Sequence, residues 1–193
     1  MPFEFKADSD LPEVIHVSVR RFDDPRGWFA ETFRQNEFLE AGMPNPFVQD
    51  NHSMSGPAGT IRGLHLQLAP HEQGKLVRCL KGRIFDVAVD LRRDSPRYGR
   101  YTSVVLSAEA GNQIYIPRGF AHGFCTLEDQ CEVSYKTDAY YEAQHEAGIA
   151  FDDDTIGISW PFPAGQLTLS DRDAALPDLR NFERRMSQGV EQP

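Results

Sequence analysis

KLVRCLKGRIFDVAVDLR, residues 75–92, holds two short apolar runs either side of a turn signal at LKGR (80–83). In its second half, Phe85, Val87, Val89 and Leu91 alternate with Asp86, Ala88 and Asp90. A period of two over a run this short is the mark of a β-strand, which sends the two sets to opposite faces. One face is greasy and the other carries carboxylates. Parity alone does not say which of them is the inside.

The same texture extends in both directions. VIHVSVRRF (14–22) alternates, RGLHLQ (62–67) puts Gly63, His65 and Gln67 on one face and Leu64 and Leu66 on the other, and YTSVVLS (101–107) and NQIYIP (112–117) follow. GFCTL (123–127), EVSYKT (132–137) and ISWPF (158–162) complete the set, with turn residues such as RDSPRYG (93–99) between them. Many short strands with Gly, Pro and Asn punctuation indicate a β-sandwich or barrel. Helical signal is confined to NEFLEAG (36–42), ending at Gly42, and to LPDLRNFERRM (176–186). We therefore expect a mainly β chain with a few short helices, one domain over 1–193 with a short tail from about 180.

The bulk numbers narrow the class. At 193 residues and 25% charged side chains the chain has an ordinary globular composition. A net charge of −9 argues against general nucleic-acid binding, which needs a basic face, and any phosphate site must be built locally against that field. No apolar run has the length of a membrane span, and the acidic opening MPFEFKADSD is not a secretory signal, so a cytoplasmic location is expected. Cys79, Cys125 and Cys131 form no CxxC pair, and Cys79 and Cys125 read as small core residues.

Several polar residues sit where packing does not ask for them. DPRGWFAE (24–31) sets Arg26 and Glu31 around aromatics, FVQDN (47–51) ends in Gln49, Asp50 and Asn51, and QGKLVR brings Lys75. IPRGFAHGF (116–124) carries His122, SYKTDAYY (134–141) three tyrosines, and LSDRD (169–173) ends in Asp173. Each has a bland reading: a surface ion pair, turn formers, a core histidine, a solvated strand end, wall aromatics. Taken together on one small β-domain they indicate an active site.

Among known chemistries, no GxSxG elbow, no Cys/His setting and no glycine-rich phosphate cradle is present, so phosphate would be gripped by Arg and Lys. PRGFAH (117–122) has the PxGxxH spacing of a cupin motif, and a metal-binding cupin would use His65, residue 67, Glu72 and His122. Gln67 stands where the second imidazole is needed, and an amide oxygen is a poor ligand for zinc or iron. No metal is expected.

The ordered set DPRGWFAE, FVQDNHS, IRGLHLQ, QGKLVR, FDVAVDLR, SPRYG, IPRGFAHGF, YKTDAYY, the segment 146–160 and LSDRD resembles the dTDP-4-dehydrorhamnose 3,5-epimerases over residues 14 to 179. The resemblance implies a cupin-type double-stranded β-helix, or jelly-roll barrel, and epimerisation at C3 and C5 of dTDP-4-dehydro-6-deoxy-D-glucose without a cofactor. It implies His65 as base, Asp173 as its partner, Tyr135 as acid on the opposite face, and Lys75 with His122 at the C4 oxygen and nearby hydroxyls. Arg62 and Arg172 would hold the diphosphate and Tyr141 the thymine, with Glu146, Gln49, Asp50 and Asn51 lining the pocket. Arg26, Phe29 and Glu31 would reach a neighbouring subunit's site, which implies a homodimer. The chain departs from the family at Arg172, where lysine is usual, and by the extra acid Asp171 beside it. Three alternatives stand beside this reading: an epimerase of a single carbon or of a related dTDP-4-keto-deoxy sugar, a metal-dependent cupin, and a sugar-nucleotide-binding module without catalysis.

Overall fold

The computed structural model describes residues 1–188, and the last five residues of the expected tail lie outside it. Thirteen strands are present among the described residues. The larger sheet contains β1 (Phe3–Ala7), β2 (Ile15–Val19), β10 (Gln113–Ile116), β7 (Lys75–Lys81), β12 (Cys131–Thr137) and β5 (Gln49–Ser55), in that spatial order. The smaller contains β13 (Glu146–Gly148), β6 (Ile61–Gln67), β11 (Phe120–Thr126), β8 (Arg83–Asp90) and β9 (Tyr101–Ser107). Every pairing within them is antiparallel, and the two sheets face each other as a cupin-type jelly roll. A separate hairpin pairs β3 (Phe22–Asp24) with β4 (Gly27–Phe29). No helix among the described residues is long and apolar enough to cross a membrane.

The alternation in β8 resolves in an unexpected direction. Its Ile84 and Ala88 pack inside with Phe120 and Phe124 of the neighbouring β11 and with Val77, Cys79, Ile114 and Val133 of the facing sheet. The greasier set, Val87, Val89 and Leu91, lies on the outer face of the small sheet with Leu64 and Leu66 of β6. That face is dry because Ile149, Ile156, Leu179 and Phe182 cover it. Both faces are therefore buried, and the carboxylate-bearing face is the interior one. His65 and Gln67 consequently turn inward while their flanking leucines turn out.

The helices cap this arrangement. α1 (Gln35–Glu40) buries Phe38 edge-on against Phe3, Phe5 and Phe33 at centroid distances of 5.0, 5.1 and 4.9 Å, on the outer face of the large sheet. It stops as expected at Gly42, whose φ of +97° lets its N–H reach Leu39 O while Met43 N–H reaches Phe38 O. α2 (Asp171–Ala174) is one turn that the sequence did not announce; the Ser170 hydroxyl caps it by accepting from Asp173 N–H. α3 (Leu179–Ser187) is the helix expected over 176–186, capped by Asp178, which accepts from Asn181 N–H at 2.7 Å. It seats Leu179 and Phe182 in the outer core.

Candidate active site

Toward one end of the sandwich the interior changes from apolar to polar. Two adjoining cavities of about 300 and 310 Å³ share His65, Lys75 and Tyr135 on their walls. Two larger hollows, of about 510 and 640 Å³, share a guanidinium, Arg92, that is already held by Asp90 and Glu13, and the larger of them backs onto the first cavity at Leu66 and Gln67.

His65 is on β6, and its Nε2 lies 2.7 Å from Asp173 Oδ1. A carboxylate can only accept, so Nε2 carries the proton and Nδ1 is left basic. Asp173 also receives the Gly63 N–H at 3.2 Å on its other oxygen. Burial pushes its acid group up, but His65, the Gly63 N–H and the charge of Arg172 outweigh that and hold it below the ordinary aspartate value. The α2 turn carries Asp173, which it holds buried against β6.

A bulge brings Arg62 to the same side. In the β6–β11 register His65 opposes His122 and Arg62 opposes Phe124, so Gly63 and Leu64 together face the single residue Gly123. The extra residue cancels one alternation, which lets residues three apart share a face. Glycine is required here: φ at Gly63 is +115°, and a Cβ would lie 2.6 Å from His122 O and 2.7 Å from Gly123 Cα. Arg62 then donates to Ser55 Oγ at 2.9 Å and to Met54 O at 3.1 Å, lining the second cavity.

Lys75, at the start of β7, is buried and donates from Nζ to His65 O at 3.1 Å. Desolvation pulls its pKa down to about 8, against the attraction of Asp86 and Glu146. His122 Nε2 lies 2.9 Å from Asp86 Oδ2, a second His–Asp pair facing the cavity from β11 and β8. Asp86 is a site residue that sequence alone places on a strand face with Ala88 but assigns no role. Tyr135 sits on β12 opposite Asn51 and against the apolar core; burial raises its hydroxyl, Arg62 lowers it and Glu146 raises it further.

At the outer rim, Glu146 is held by Arg172 and by the Tyr141 hydroxyl. Burial raises its carboxyl, yet the bonds from Arg172 and Tyr141 together with the charges of Arg172 and His65 leave it below the ordinary glutamate value. Gln49 and Asn51 point into the first cavity and bond to each other at 3.0 Å.

Four expected site residues lie outside these cavities, three of them, Arg26, Phe29 and Glu31, being those expected at a neighbouring subunit's site. Asp50 lies between Gln49 and Asn51 on β5, so strand parity turns it to the outer face, where it accepts from Lys136 Nζ at 2.7 Å. Arg26, Phe29 and Glu31 lie on or next to the β3–β4 hairpin, outside both cavities. Arg26 pairs with Asp24 and Glu31 with Arg34 in place of each other, while Phe29 is 68% exposed.

The family model described as dTDP-4-dehydrorhamnose 3,5-epimerase matches residues 8–181. A curated dTDP-4-dehydrorhamnose 3,5-epimerase of Sinorhizobium fredii is 48% identical over 169 residues, 88% of this chain and 86% of that one. Among solved structures, the dTDP-4-dehydrorhamnose 3,5-epimerase of Elizabethkingia anophelis superposes with a TM-score of 0.88 at 40% identity, covering 94% of this chain and 98% of that one. The dTDP-6-deoxy-D-glucose-3,5-epimerase of Legionella pneumophila, solved with dTDP-4-keto-L-rhamnose, gives a TM-score of 0.87 at 38% identity over 92% and 93% of the two chains. With matches of this extent running through every strand of the cavity, the chain belongs to the dTDP-4-dehydrorhamnose 3,5-epimerase family and is an epimerase.

Proposed function

We propose that the chain inverts C3 and C5 of dTDP-4-dehydro-6-deoxy-D-glucose, giving dTDP-4-dehydro-L-rhamnose. The observation that carries this reading is the His65–Asp173 bond on Nε2, which frees Nδ1 in a cavity it shares with Lys75 and Tyr135. The C4 ketone acidifies the protons on C3 and C5, because the enolate spreads its charge onto the C4 oxygen. His65 takes the proton on Nδ1, and Asp173 fixes the tautomer and stabilises the imidazolium. The Lys75 ammonium meets the charge developing on the oxygen, with His122, held by Asp86, beside it. Tyr135 gives its proton to the opposite face of the same carbon. Proton exchange with solvent then discharges the imidazolium and restores the tyrosine hydroxyl, whose pKa burial raises, before the second carbon reacts. Arg62 and Arg172 hold the diphosphate, and Tyr141 stacks on thymine, with Gln49, Asn51 and Glu146 beside it. Every step uses side chains of this chain; none calls for a cofactor.

The test is turnover in deuterated water. Label at both C3 and C5 is expected. Label at C3 alone makes the chain a single-carbon epimerase, and a folded sample that introduces no label overturns the reading.

The β3–β4 hairpin supports a homodimer in which this segment completes the neighbour's site. Phe22, Trp28 and Phe29 are exposed on it at 45, 57 and 68%; Arg20 and Arg21 lie over the first two rings, and Phe29 is the most open of the three. A dimer in sedimentation that Trp28→Ala weakens supports the assembly; an active monomer overturns it. Three unpaired, buried thiols fit a reducing, cytoplasmic location.

A further inference from the structure

Tyr141 reaches the cavity on a segment that belongs to no strand. After β12 ends at Thr137, residues 139–142 run across the rim before the chain re-enters the small sheet at β13. Such a segment has no ladder to fix it, so its backbone groups need other partners. Three glutamines supply most of them, and the Thr137 hydroxyl also donates to Ala139 O at 2.9 Å. Gln73 Nε2 donates to Ala139 O at 2.8 Å, and Gln49 Oε1 accepts from Tyr141 N–H at 3.1 Å. Gln67 takes the groups on either side: its Nε2 donates to Tyr140 O at 3.3 Å and its Oε1 accepts from Glu142 N–H at 2.6 Å. The second Nε2 proton of Gln67 goes to His71 O at 2.8 Å, tying in the loop that precedes Lys75.

We propose that Gln67 is a positioning residue for the nucleotide end of the site, holding the Tyr141 segment at the distance from β6 that the base requires. Its chemistry is specific. A primary amide donates twice and accepts from one point, and here both protons and the oxygen are used. Glutamate donates nothing at this point, and leucine neither donates nor accepts. Gln67 is 4% exposed, so no solvent replaces the lost bonds. The cross-strand neighbour of Gln67 on β13 is Glu146, which holds the Tyr141 hydroxyl, so backbone and ring of Tyr141 are fixed from one register position.

The inference rests on the assignment of Tyr141 to thymine, and the experiment separates the two. Full-length Gln67→Leu, Gln73→Leu and Tyr141→Ala are titrated calorimetrically with dTDP and with inorganic pyrophosphate, and kcat and KM are measured. Tyr141→Ala and Gln67→Leu are expected to weaken dTDP roughly tenfold, the scale of one base–aromatic stack, with pyrophosphate affinity within twofold. For Gln67→Leu the rise in KM exceeds any fall in kcat. Wild-type dTDP affinity in Gln67→Leu alongside weak binding by Tyr141→Ala overturns the inference, as does equal loss of pyrophosphate and dTDP. Wild-type dTDP affinity in Tyr141→Ala overturns the thymine assignment itself, and the inference with it. If Gln67→Leu does not fold, Gln73→Leu carries the test: it loses one tie and is expected to weaken dTDP about threefold, and no change overturns the proposal.

Discussion

Asp173 Oδ1 lies 2.7 Å from His65 Nε2 although 108 residues separate the two in the chain. The small sheet supplies the imidazole and a single helical turn supplies the carboxylate. Because an amide can present its N–H to the ring, Asp173→Asn lets the other tautomer form and turns the basic nitrogen away from the sugar. We predict that kcat falls by ~10³-fold or more, by analogy with an orienting carboxylate in a catalytic triad. The fold should survive at neutral pH, as far-UV dichroism will show. The wild type gains stability above the ordinary carboxylate range because Asp173 is held low, and loses it as pH falls through that lowered value; Asp173→Asn should flatten this part of the acid limb.

Lys75 sets the alkaline limb. With a pKa near 8 in the free protein, its ammonium is lost above that point, and kcat/KM should fall as pH rises through about 8. Bound substrate brings negative charge, which favours the ammonium, so the corresponding limb in kcat should sit higher. Stability moves the other way. Between about 8 and the ordinary lysine value the native state holds fewer protons than the unfolded one, so stability rises with pH across that window. Lys75→Met should remove that slope and lower kcat by ~10²-fold or more. A pH–rate profile and denaturant titrations at several pH values check both signs.

Gly63 is where strand geometry and site geometry meet. Gly63→Ala forces a Cβ into backbone at 2.6 Å and keeps φ at +115°, where L side chains are strained. The expected cost is ~1–3 kcal/mol from the backbone alone, about 2–4 °C in Tm for each kcal/mol in a chain of this size. Relief requires the bulge to relax, and that rotates Arg62 away from the face His65 shares. Activity should therefore fall by more than the loss of folded protein accounts for, with the excess in KM; a variant as active per folded molecule as wild type would contradict the role of the bulge.

Which parts of this were legible follows from what each signal measures. Alternation in β6 and β8 is local, and it gave strands with the right residues on common faces. It could not say which face was interior, because hydrophobicity reports burial and both faces are buried: Val87 and Val89 face α3, Ile84 and Ala88 face the opposite sheet. The His65–Asp173 pairing came from resemblance, since nothing local in LSDRD announces the one-turn helix capped by Ser170. Alternation puts Asp86 on the carboxylate face but gives it no site role, because a carboxylate on an alternating strand looks solvated until the covering layers are known. The bulge was hidden for the same reason: one extra residue leaves no mark on composition, and only the positive φ at Gly63 betrays it.

Asp50 shows the cost of reading a motif as a block. Gln49, Asp50 and Asn51 are consecutive, and a strand cannot send three consecutive side chains to one side. Gln49 and Asn51 face the cavity; Asp50 pairs with Lys136 on the outer surface of the large sheet. Exposed pairs of this kind contribute ~0–1 kcal/mol, so Asp50→Ala should leave kcat/KM about unchanged, within twofold, and move Tm little. Asn51→Ala removes an amide that bonds Gln49 and stands opposite Tyr135, and should lower kcat/KM roughly tenfold, the scale of one lost hydrogen bond. Steady-state kinetics on the two variants decides between them: a larger loss in Asp50→Ala than in Asn51→Ala would mean that β5 presents its other face to the substrate.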